Sequence, residues 1–216
     1  MVPDPVLRAA AVVDLLALLA YGELQAFDQM AADARLAPDL HRRAVLSAMA
    51  AAEIVNYRRL ADRLAALGAD AEATMRPYVA PLERYHDQTA PKDWLEALTK
   101  AYVGDGMADD FYHEVAVRLD SPDRELVLDV LHDSTYADFA AAEIRNAIDA
   151  DPKVANRLSM WARRLVGEGL SQAQRVAVER PSLALLLGDD LDAVSGLFKR
   201  LTSAHTARMT AVGLNN

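Results

Sequence analysis

Apolar residues recur every three to four positions along most of the chain, the period of an α-helix with one face turned inward. Six long segments carry this pattern, over about 6–34, 39–67, 92–119, 122–149, 152–180 and 189–212. Their boundaries fall at residues with a physical reason to sit there. Pro5, Pro38-Asp39, Pro91, Ser121-Pro122 and Asp151-Pro152 stand at helix starts. A Ser or Asp cap accepts a free backbone N–H, and Pro has none to leave unsatisfied. Gly68 closes the second segment and Pro181 the fifth. Residues 69–90 hold Pro77 and Pro81 and predict a broken helix or an ordered crossover.

A helix of about 28 residues is about 40 Å long. The first four segments predict two hairpins separated by a long connection, which is a four-helix bundle with one crossover. The last two predict a C-terminal hairpin packed on the bundle or forming a dimer face. The chain therefore reads as one all-α domain over 1–216, with a core bundle over about 6–149 and an extra hairpin over about 152–212.

Composition agrees with this and removes several chemistries. Of 216 residues 52% are hydrophobic, and only 9 Gly and 9 Pro interrupt them. With no Cys, disulfide scaffolds, zinc–thiolate sites, cysteine nucleophiles and cysteine-held iron–sulfur clusters are excluded. The net charge of −9 disfavours non-specific nucleic-acid binding and fits a soluble cytoplasmic protein. The most apolar run, Ala9 to Gly22, carries Asp14 in its middle and is too short to span a bilayer, so a buried helix is expected. The opening Met-Val-Pro-Asp-Pro lacks the basic flank of a signal peptide.

The candidate chemistry comes from an internal echo. The first helix contains Ala20-Tyr21-Gly22-Glu23, and the third contains Ala101-Tyr102-Val103-Gly104-Asp105, the same words with one insertion. Downstream, the second helix carries Glu53-x-x-Asn56 and the fourth Asp133-x-x-Tyr136. Each half thus offers one carboxylate on its first helix and, on its second, a carboxylate with a polar residue one turn later. Glu23, Glu53, Asp105 and Asp133 all interrupt apolar stripes. Acids are almost never buried without compensation. Four of them converging require a cation, shared protons or basic partners.

The pattern resembles the ferritin-like di-iron carboxylate proteins, which combine lone carboxylates on two helices with Glu-x-x-His on the other two. Over nearly the whole chain it is similar to an actinobacterial ferritin-like family grouped with tRNA-hydroxylase-like proteins. The stretches carrying that likeness are Tyr21-Gly22-Glu23-Leu24-Gln25-Ala26-Phe27, Met49-Ala50-Ala51-Ala52-Glu53, Ala101-Tyr102-Val103-Gly104-Asp105-Gly106 and Ser171-Gln172-Ala173-Gln174-Arg175. The resemblance implies a ferritin-like fold and a metal set of Glu23, Glu53, Asn56, Asp105, Asp133 and Tyr136.

The chain departs from that family pattern where it matters for iron. Asn56 and Tyr136 stand where His is expected, and two acids are shortened to Asp105 and Asp133. An all-oxygen set suits Mg, Mn or Ca better than iron. Two readings follow. The first is a ferritin-like protein with a degraded or all-oxygen carboxylate site, no catalytic di-iron centre and no cofactor. It would work as a homodimer or with a protein partner. The alternative is a di-iron or dimanganese hydroxylase of a modified tRNA nucleoside or another apolar substrate. Nucleic acid is otherwise not expected as a partner, nor a membrane.

Lesser candidates are weighed against ordinary structure. The acid-x-x-His pairs Glu83/His86, Asp110/His113 and Asp129/His132 read as solvated surface. Asp110 with Glu114 is the other choice for the inward acid on the third helix. Glu168 or Gln172 meeting His205 reads as a polar contact inside the last hairpin. The doublets Arg42-Arg43, Arg58-Arg59 and Arg163-Arg164 read as solvated faces. Gly104-Asp105-Gly106, lying inside a helix, predicts a close helix approach or a π-bulge.

Overall fold

The computed structural model describes residues 5–131, 134–187 and 191–215. Helix α1 (Pro5–Asp33) leads through a 3-10 turn into α2 (Leu40–Ala66). After α3 (Ala71–Gln88) come α4 (Trp94–Lys100), a π-helical turn (Ala101–Asp105) and α5 (Gly106–Ala116). Next are α6 (Asp123–Val130) and α7 (Ser134–Ala150). The chain closes with α8 (Lys153–Glu179), α9 (Pro181–Ala184) and α10 (Leu191–Ala211). The described residues contain no strand, as the periodicity predicts.

Aspartates set the helix starts. Asp39, Asp70 and Asp93 accept from the backbone N–H groups of Arg42, Ala73 and Glu96 at 2.8, 2.7 and 2.9 Å. Gly68 stops α2 at φ 76°, with the Gly68 and Ala69 N–H groups returning to the Ala65 and Leu64 carbonyls, which is how a left-handed residue satisfies a helix end.

Two segments differ from the sequence expectation, and a third takes one of the two forms expected of it. The crossover is a continuous helix, α3, despite Pro77 and Pro81. Its buried Met75, Tyr78 and Pro81 pack on α1 and α8, and that burial outweighs the two missing backbone donors. The third helix contains a π turn, one of the two features that Gly104-Asp105-Gly106 predicts, so it continues but changes phase. The expected fourth helix is interrupted: Leu131 is extended (φ −64°, ψ 150°) and the chain re-enters a helix at Ser134.

The core has two apolar clusters. The first gathers Leu15, Leu16, Leu60, Leu64, Tyr78, Val115 and Val127. The second gathers Met30, Leu46, Leu98, Ile144, Leu158, Leu165 and Met209. Their membership gives each rod its direction. Helix α1 and the α6–α7 pair run from the first cluster to the second, and α2 and the α4–α5 rod run back. Two consecutive rods with the same direction need a long return between them, and α3 supplies it.

By length and composition alone α1 is apolar enough to cross a membrane, at a mean hydropathy of 1.6. It packs along α2, α3 and α9, with Leu15, Leu16 and Ala20 buried, as a core helix does. Helix α10 packs chiefly on α5 and the π turn. Its end is tied to α8, where the Asn215 N–H donates to Ser159 Oγ at 2.9 Å and Arg163 donates to the Asn215 carbonyl at 3.1 Å.

Candidate functional site

The predicted acids fall at the seam between the two clusters. On α1 the buried first-cluster residues end at Tyr21 and the second begins at Met30, with Glu23 between them. On α2 the second cluster ends at Ala50 and the first resumes at Leu60, with Glu53 between. On the third rod the second cluster ends at Val103 and the first resumes at Tyr112, with Asp105 between. A polar layer therefore separates two apolar ones. Glu23 is 4% exposed and Glu53 3%, while Asp105 is half-buried at the end of the π turn. Asp133 lies outside the described residues.

The tyrosines report which charges share the layer. Tyr136 on α7 is 7% exposed, and its phenol is pushed well above its ordinary pKa, first by burial and then by the charges of Asp105, Asp33 and Glu53. Tyr112 on α5 is raised by burial, then by Glu23 and Asp109. Glu53 and Asp105 thus act together on Tyr136, and Glu23 acts on Tyr112. Both phenols are protonated at neutral pH, the form able to donate a hydrogen bond.

Asn56 has a different occupation. Its Nδ2 donates to the Val130 carbonyl at 3.1 Å, at the point where α6 stops. The next two turns of α2 continue the seam, with Arg59 bonded to Asp129 at 3.2 Å and Arg63 gripping Asp123 at 2.6 and 3.2 Å. The amide at Asn56 therefore helps to hold the interrupted fourth rod against α2.

The π turn brings a further group of residues into the layer. A Cβ at Gly104 would lie 2.8 Å from the Tyr85 hydroxyl, so the missing side chain is what admits Tyr85. Tyr85 is raised by burial and by Asp105. Lys100, one residue before the π turn, is 4% exposed, donates to the Thr89 carbonyl at 3.0 Å and stands 5.4 Å from the centre of the Tyr85 ring. Burial lowers its pKa to about 8 against the pull of Asp33, Asp105 and Asp87. Asp33, at the end of α1, is raised by burial to about 6, with Lys100 opposing. His86 is lowered to about 3 by burial and then by Lys100, and its Nδ1 is buried with no hydrogen-bond partner.

The solvated reading of His86 is thus corrected. A packed crossover helix turns the ring inward, which a broken one would not. Lys100, Asp33 and Tyr85 carry no comparable signal in the sequence, since none is an acid interrupting an apolar stripe. Lys100 stands two residues from both Leu98 and Tyr102, across the helix from their apolar stripe, where a lysine reads as exposed, yet α4 is buried on that side too.

The remaining candidates are placed plainly. Asp110 pairs with Arg208 at 2.7 Å, and Glu114 with Arg200 at 2.7 Å, so both face α10. His113 is exposed, and His132 lies outside the described residues. Gln172 and His205 are buried, and Glu168 is half-buried. Each arginine doublet gives at least one member to the fold. Arg42 bonds Glu143, Arg59 bonds Asp129, and Arg164 donates to the Gln88 carbonyl. Among the described residues no three of His, Asp or Glu are arranged to hold a metal ion.

Two antiparallel pairs of helical rods joined by a long return, with buried carboxylates across them, are the arrangement of the ferritin-like class. The family model for the ferritin-like domain of actinomycetes matches residues 8–190, and the chain belongs to that family. A search of curated proteins finds no match.

Proposed function

We propose that this is a ferritin-like protein whose carboxylate layer works without a catalytic di-iron centre, the fold having been kept for a binding or structural role. The reading is carried by Asn56, one of the two residues at the positions where the superfamily has His. Its amide is committed to the Val130 carbonyl. The other position supports it, because Tyr136 is a buried phenol held in its protonated form. Neither offers the imidazole that suits iron, and the donors present do not fit a di-iron pair. A homodimer or another protein is the partner class this reading expects, in the cytoplasm.

A second reading keeps one observation on its side. Glu23 and Glu53 are both nearly fully buried at the same layer. In a di-iron or dimanganese hydroxylase of the tRNA-hydroxylase-like kind they would be the natural ligands, with Asp105 and Asp133. Metal analysis of protein purified without chelator, followed by anaerobic iron and manganese titration, separates the two. The first reading expects no tightly held metal and no iron–phenolate colour from Tyr136 after oxidation. Two equivalents of tightly held iron overturn it.

A further inference from the structure

Acids gathered in a low-dielectric layer must have their charge met by something. This inference rests on the reading that a metal pair does not do so. The chain has four lysines. Lys92, Lys153 and Lys199 are exposed, whereas Lys100 is buried. It sits at the end of α4, immediately before the turn that delivers Asp105. A buried ammonium persists only beside compensating charge. Its Nζ is anchored by the Thr89 carbonyl and faces the Tyr85 ring. Asp33, Asp105 and Asp87 all favour its charged form. With its pKa near 8 and that of Asp33 near 6, both groups are largely ionised at neutral pH.

We propose that Lys100 is the resident cation of the polar layer, its ammonium balancing Asp33 and Asp105 in the role that metal ions fill in di-iron relatives of the fold. The layer then holds a positive charge of the protein's own, beside Asp33 and Asp105, without a cofactor. The glycine at 104 belongs to the same arrangement, since it lets Tyr85 close over the ammonium.

The test is a double-mutant cycle on the full chain, read by urea unfolding at pH 7, with Lys100→Met placed in the wild type and in Asp33→Asn/Asp105→Asn. Lys100→Met is expected to disfavour folding at least tenfold more in the wild type than in the double-Asn background. An equal effect in both backgrounds overturns the proposal. Should Lys100→Met fail to fold, wild-type protein labelled with nitrogen-15 at lysine Nζ gives a second measurement. A slowly exchanging ammonium resonance that moves in Asp105→Asn supports the proposal, and its absence overturns it. Manganese and ferrous iron are titrated into the same wild-type sample. Tight uptake there defeats the metal-free reading and this inference with it. No uptake combined with no coupling defeats the role of Lys100 alone.

Discussion

Gly104 and Tyr85 meet so closely that a methyl group on the glycine would stand 2.8 Å from the phenolic oxygen and 4.0 Å from the ring carbon bearing it. The hydroxyl alone is in the way. Gly104→Ala is expected to destabilise the fold by about 1–3 kcal/mol through overpacking. Tyr85→Phe should recover most of that loss, because the nearest remaining atom is at ordinary contact distance. Urea unfolding of the two single variants and the double variant measures the coupling. Additive losses would show that the contact is not the cause.

Asn56 links the helix that carries Glu53 to the end of α6. Asn56→Ala leaves the Val130 carbonyl without that donor and should cost about 1 kcal/mol. Amide hydrogen exchange should quicken in α6 more than in α8, because the α2–α6 seam is loosened locally. Uniform quickening would argue against an anchoring role.

His86 makes stability acid-sensitive. Its folded pKa of about 3 lies below the ordinary 6.5, so the unfolded chain binds its proton first as pH falls. The contribution is complete above pH 6.5 and is lost progressively down to pH 3, amounting to about 5 kcal/mol at most. His86→Gln should therefore flatten the fall in stability across that window, read as urea midpoints against pH. Parallel curves would remove His86 from the account.

The buried tyrosines act at the other end of the scale. Burial raises Tyr78, Tyr85, Tyr112 and Tyr136 above their ordinary value of 10, so the folded chain holds those protons after the unfolded chain has released them. Stability should drop as pH rises beyond about 10. Phenolate absorbance from these four should appear together with loss of helical circular dichroism. Full tyrosine ionisation with the helices intact would contradict their burial.

Much of the fold was legible because its signals are local. Helical periodicity and aspartate caps located the rods to within a few residues, and Gly104-Asp105-Gly106 inside a helix pointed to a close helix approach or a π turn, of which the π turn is present. The break after Val130 was not legible, because it is held by a side chain 74 positions away in sequence. The continuity of α3 was likewise hidden, since the packing that tolerates Pro77 and Pro81 comes from α1 and α8. At the site, the positions of Glu23 and Glu53 were readable as acids on apolar stripes. Lys100 was not legible, because its burial makes sense only beside acids that other elements bring to it.

The π turn also decides what the third rod touches. One surplus residue advances a helix by about 100°. Upstream of it, α4 addresses α7 and α8, and downstream, α5 addresses α6 and α10. Excising Val103 would restore an unbroken α-helical winding and rotate one half of the rod relative to the other. Such a deletion would exchange neighbours along half the rod's length, so this single residue acts as the gear that meshes the two ends of the molecule.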